Sequence, residues 1–201
     1  DICYVGSHHF WSIDISDPEN PKILAKLEDP AIESINGMTR LGDYLYAASK
    51  KNHITVFDVR DPENPKLVRA YQPEGEIFSS PHDIARLDDR RIVVVNIHPH
   101  RGYDRLRVYR VADGSSGEPL PENEWVLEGA LNDERFRGAN RVRVRDHYAL
   151  VVCNKGFSVG VIDLSNPEEP KITSWFPTDD NPRYKSCGMN LAGDVMIAVG
   201  W

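Results

Sequence analysis

The residues best suited to chemistry are histidines and their neighbours. The chain holds seven histidines; His82 is followed directly by the carboxylate of Asp83, and a single residue separates His98 from His100. Imidazole is a neutral metal ligand and a base near neutral pH, and an adjacent carboxylate can orient the ring or take the proton itself. His82, His98 and His100 are therefore the expected ligands of a divalent metal ion, with His82 and Asp83 as the expected catalytic pair. A second set, Asn36, Asn140, Arg141, Lys155 and Cys187, offers amide, cationic and thiol groups suited to a carboxylate- or phosphate-bearing ligand. Loops collect histidines and charges in any case, and a His-x-His pair is weak alone. The elements that place these residues decide between the readings.

Those elements come as a repeat. Asp17-Pro18-Glu19-Asn20-Pro21-Lys22 returns as Asp61-Pro62-Glu63-Asn64-Pro65-Lys66, and more loosely as Asn166-Pro167-Glu168-Glu169-Pro170-Lys171. Each copy follows an alternating apolar run, at 11–15, 55–59 and 159–164, and precedes another, so it reads as a turn between two strands. Four strands, A to D, recur around these turns. Strand A is expected at 35–41, 82–87, 140–144 and 188–191, and strand B at 3–6, 44–48, 92–96, 148–152 and 195–199. Strand C takes the alternating runs and 106–111; strand D takes 23–27, 67–71, 125–131 and 172–176. Strand B is apolar nearly throughout, as suits a strand covered on both faces.

Four short antiparallel strands restarting in the same order, with no long helix between, predict an all-β fold of β-propeller blades. A β-sandwich is the competing architecture, and it does not require the turn residues to recur. The blades fall at about 1–34, 35–80, 81–137 and 138–186, with a partial one at 187–201, so about four and a half blades are present. This predicts a piece of a larger ring of roughly six to eight blades, in preference to a four-blade ring with one surplus strand. The missing neighbours are then the remaining blades or another subunit.

The tyrosine-rich strand B, the Ile13-Asp14-Ile15-Ser16-Asp17-Pro18-Glu19-Asn20-Pro21-Lys22 run and the apolar strand after it resemble the LVIVD-repeat proteins. The resemblance covers essentially the whole chain, although the third copy replaces the Pro-rich turn with 114–119. It implies a propeller-like fold and a secreted or cell-surface protein. It carries over no catalytic motif.

In such a blade the D–A and B–C connections open on one face, here called upper, and the A–B and C–D turns on the other. The Pro-rich turns fall below and read as structural punctuation, since proline fixes φ and Asp or Asn caps the turn. His8, His9, His53, His82, His98 and His100 fall above; His147 falls below. The start of strand A lines the centre, where His82-Asp83 is matched by Asn36-Gly37, Ala139-Asn140 and Cys187-Gly188.

Composition removes other classes. With 40% hydrophobic residues the chain can bury a core, and a net charge of −7 with the signs interspersed argues against a nucleic-acid binder. No apolar run approaches the roughly 18 residues of a transmembrane helix. Three cysteines do not make a disulfide scaffold, and Cys3 and Cys153 read as small buried hydrophobes. Phosphate-loop, dinucleotide, serine-elbow and zinc-helix motifs are absent from the sequence. The expected function is a binding scaffold presenting its upper face to a protein, a glycan or a small anionic ligand. The alternative is a metal-assisted lyase, hydrolase or lactonase using the upper-face histidines, and a purely structural role in a larger assembly is the third reading.

Overall fold

A computed structural model describes residues 1–49, 53–72, 81–97, 105–154, 158–177 and 186–200. All its sheets are antiparallel. The first contains β1 (Ile2–Gly6), β2 (Phe10–Asp14) and β3 (Lys22–Leu27); the second contains β4 (Ile35–Leu41), β5 (Tyr44–Ser49), β6 (His53–Asp58) and β7 (Lys66–Tyr71). The third comprises β8 (Pro81–Arg86), β9 (Arg91–Asn96), β10 (Leu106–Arg110) and β11 (Val126–Leu131). The fourth comprises β12 (Ala139–Arg145), β13 (Tyr148–Cys153), β14 (Ser158–Asp163) and β15 (Lys171–Pro177), and the fifth pairs β16 (Ser186–Ala192) with β17 (Val195–Gly200). Every strand expected from the repeat is present with slightly adjusted ends, in the A-B-C-D order of propeller blades. Among the described residues, helix is confined to 3-10 turns at Glu122–Glu124 and Glu134–Phe136. No helix among them is long and apolar enough to cross a membrane.

The A strands pack side by side, β8 between β4 and β12, and β12 against β16. Apolar residues fill the spaces between successive sheets. Phe10 of the first sheet stacks on Phe57 of the second, with ring centroids 4.1 Å apart. Tyr71 of the second stacks at 4.4 Å on Trp125, which precedes β11 in the third. Strand B is sandwiched on both faces in the second sheet, where β5 is buried throughout, and this explains its continuous apolar composition.

The Pro-rich turns are local and they also join sheets. The Asp17 carboxylate accepts from Glu19 N at 3.1 Å and Asn20 Nδ2 at 2.9 Å; Asp61 does the same with Glu63 N and Asn64 Nδ2. Ser12 Oγ of the first sheet donates to Pro62 O in the second sheet's turn at 2.5 Å. In the fourth sheet the turn seats on Gly129 of β11, where any Cβ would overlap the Pro167 carbonyl. In the third sheet, 114–117 takes the turn's place beneath the second, and Tyr46 Oη donates to Gly117 O at 2.9 Å. Gly129→Val is expected to lower stability by roughly 1–3 kcal/mol through overpacking, read as a lower urea midpoint at unchanged slope.

Candidate functional site

The upper ends of the inner strands share one irregularity. The pairing of strand A with strand B slips by a residue between Ile35 and Gly37, Pro81 and Asp83, Ala139 and Arg141, and Ser186 and Gly188. The residues left over are Asn36, His82, Asn140 and Cys187. A bulge leaves its extra residue out of the ladder and re-aims its side chain, so β4, β8 and β12 present Asn36, His82 and Asn140 at one level. Asn140-Arg141, and not Ala139-Asn140, is therefore the counterpart of His82-Asp83; strand periodicity alone does not reveal a bulge.

Arg141 draws the row together. Its Nη1 lies 2.8 Å from His82 Nδ1, 3.0 Å from Asn140 O and 3.1 Å from Asn140 Oδ1. His82 Nδ1 is itself 3.0 Å from Asn140 O. A guanidinium can only donate, so Arg141 donates to Asn140, while His82 Nδ1 can only accept from Arg141 and only donate to Asn140 O, and the imidazole tautomer selects between these two contacts. The hydrogen bonds of Arg141 among the described residues go to neutral groups, and its charge also acts on the buried Asp83 carboxyl. Asn36 adds a buried amide donor, Nδ2, that has no partner among the described residues.

Asp83 turns away from this mouth. It is 2% exposed, and its Oδ2 accepts from Val142 N at 3.0 Å and Arg143 Nη1 at 2.9 Å. Its other oxygen faces Gly37 so closely that a Cβ there would overlap it. Burial pushes the carboxyl above its ordinary range, opposed by Arg143 and the Val142 amide. Asp83 thus fastens β4, β8 and β12 to one another. The sequence reading did not single out Arg143, yet basic residues at 141, 143 and 145 alternate as one face of a strand does. The described inner strands carry five arginines, Arg40, Arg86, Arg141, Arg143 and Arg145, against the single acid Asp83. Arg86 pairs with Asp89 and Arg145 with Asp194.

The other expected residues scatter. His53 Nε2 lies 3.1 Å from Ala31 O, where it helps hold the D–A connection. His8 is exposed, and His9 meets Trp11 edge-on at 6.4 Å. His98, His100 and Lys155 lie outside the described residues, as does the side chain of Cys187. Among the described residues no group of three His, Cys, Asp or Glu is placed to hold a metal ion. Cys153 is fully buried, and burial pushes its thiol up to about 12, whereas Cys3 is only half-buried.

The sequence profile of the LVIVD repeat matches residues 40–72 and 137–178. No curated protein matches the chain. Among solved structures it is similar to a protein from Lactobacillus plantarum, at 14% identity and a TM-score of 0.68, covering 99% of this chain and 63% of that one. It is also similar to the periplasmic gluconolactonase of Pseudomonas aeruginosa, at 14% identity and a TM-score of 0.67, covering 96% and 57%. A third is the computationally designed Ika8 protein, at 10% identity and a TM-score of 0.61, covering 99% and 51%. The chain therefore spans less than two thirds of each, and at these identities the likeness concerns the fold. The chain is an all-β protein of propeller-type, four-stranded blades that carries the LVIVD repeat in its second and fourth sheets.

Proposed function

We propose that the protein is a binding propeller that takes a small carboxylate- or phosphate-bearing ligand at the upper end of its inner strands. The observation that carries this reading is Arg141, a half-buried cation whose described bonds all go to neutral acceptors. Asn36 Nδ2 supports it as a buried donor with no described partner. An anion placed there gains charge-assisted hydrogen bonds from a guanidinium already oriented by Asn140 and His82. The chain is acidic overall, so Arg141 at the mouth supplies a local charge of the opposite sign. Of the ligand classes open to a scaffold, this chemistry favours the anion over a neutral glycan.

The metal-assisted alternative needs His98 and His100 to join His82, next to a guanidinium that stands at His82 Nδ1 and repels a cation. Titration calorimetry with inorganic phosphate and with citrate tests the proposal. Binding by the parent protein is expected to weaken roughly 10- to 100-fold in Arg141→Ala, the loss of about 1.5–3 kcal/mol for a hydrogen bond to a charged group. It should also weaken with added salt. Equal binding of both probes by the parent and by Arg141→Ala overturns it, as does stoichiometric transition metal in the purified protein that is lost in His82→Ala.

A further inference from the structure

The junction between the second and third sheets departs from the repeat. Strand registers align Arg69 of β7 with Ala25 of β3, Gly129 of β11 and Ser174 of β15. Those three are small, and Gly129 is the seat on which the fourth sheet's Pro-rich turn rests. In the second sheet a long cationic side chain fills the seat, and the third sheet carries 114–119 in place of a Pro-rich turn. Two residues on, Tyr71 stands where the other sheets have Leu27, Leu131 and Phe176, so its hydroxyl is particular to this sheet. Both departures meet at one cleft of about 600 Å³. Arg69 and Tyr71 line it from β7, and Asp113, Glu118, Leu120 and Pro121 line it from the C–D connection of the third sheet. Its volume falls within the roughly 300–1,000 Å³ of small-molecule sites.

Tyr71 is 4% exposed; its ring stacks on Trp125 and lies 5.8 Å from the Arg69 guanidinium. Its hydroxyl makes no hydrogen bond among the described residues. A buried tyrosine hydroxyl normally finds a partner, and the cleft is where one can enter. The charges decide its kind. Arg69 lies 3.7 Å from Glu122, and Asp113 3.6 Å from Arg110, so each has a counter-ion. The Glu118 carboxylate has neither a cation nor a donor among the described residues. We infer that the cleft binds a small organic cation, an ammonium group on an apolar body. The ammonium donates to the Glu118 carboxylate and the Tyr71 hydroxyl, and the body lies against Leu120 and Pro121. An anion would meet two carboxylates, and a sugar would find the Tyr71 ring already stacked on Trp125. The inference is independent of the anion reading, because none of these residues belongs to the upper mouth.

Ligand-observed NMR titration with pentylamine, protonated at neutral pH, and with pentanol as its neutral counterpart provides the test, with circular dichroism to confirm folding. The parent protein is expected to bind the ammonium, and to bind the alcohol about 10-fold more weakly. Glu118→Gln should weaken ammonium binding roughly 10-fold, and Tyr71→Phe should weaken it as well. Glu118 is exposed and Tyr71→Phe keeps the stacked ring, so both variants should fold. Arg69→Ala installs the residue of the first sheet and removes a like charge, so it should tighten binding, whereas Arg141→Ala should leave it unchanged. No ammonium binding by the parent, equal binding of the alcohol, or full binding by Glu118→Gln overturns the inference. Weaker binding by Arg69→Ala also overturns it, by showing that the guanidinium and not the carboxylate holds the probe.

Discussion

Asp83→Ala is expected to destabilise the protein by about 3 kcal/mol, the lower end of the range for breaking a buried ion pair. The carboxylate is 2% exposed and is the described acceptor of Val142 N and Arg143 Nη1. Removing it leaves a buried amide unpaired, while the Arg143 side chain, 37% exposed, can turn to water and so limits the loss. Asp83→Asn keeps an acceptor for Val142 and should cost less, roughly 1–3 kcal/mol. The pH dependence separates charge from shape. Burial raises the Asp83 carboxyl in the folded protein, so the folded state binds this proton more tightly than the unfolded chain does. Its contribution is fully present below the ordinary carboxylate pKa and is lost as pH rises through the raised one. The stability difference between the parent and Asp83→Asn, from urea unfolding at a series of pH values, should therefore shift against the parent as pH rises through that window. A difference that moves in the parent's favour would mean that Arg143 outweighs burial. Asp17 and Asp61 behave oppositely: side-chain bonds from Asn20 and Asn64 hold them below the usual range, and what they contribute is lost as pH falls.

The strands were legible because the sequence repeats its own punctuation. Asp-Pro-Glu-Asn-Pro-Lys marks the same C–D turn twice, and the apolar runs on either side leave little choice of element. Even the departure in the third copy was visible as the Gly114 to Pro119 insertion, although its seat beneath the second sheet was not. The site was legible only as a set of positions. His82, Asn36, Asn140 and Cys187 stood out as the starts of inner strands, and they prove to be the four bulged residues. Their partners could not be read, because a bulge moves the register by one residue without altering the apolar pattern around it. Hence Asp83, adjacent to His82 in sequence, bonds to the next blade, and Arg141 is the group that meets the imidazole. Side chains on successive strand residues point to opposite faces, which is why sequence adjacency misled for the His-Asp pair.

Phe57→Ala is expected to cost about 3–5 kcal/mol, the range for truncating a buried phenylalanine. Phe57 is fully buried and stacks on Phe10, also fully buried, with 14° between the ring planes. Both rings lie in the space between the first and second sheets, so the loss falls on the coupling of blades and not on either ladder. Chains of similar repeats hold together through nearest-neighbour interfaces of this kind, and the fluorescence and far-UV transitions should therefore move down together in urea. Ile13 occupies the Phe57 position in the first sheet, where it is half-buried. In dilute solution Ile13→Ala should cost no more than about 1 kcal/mol, because a partly exposed side chain leaves little cavity and loses little burial. A cost for Ile13→Ala that equals that of Phe57→Ala would show that Ile13 is covered as fully as Phe57 is.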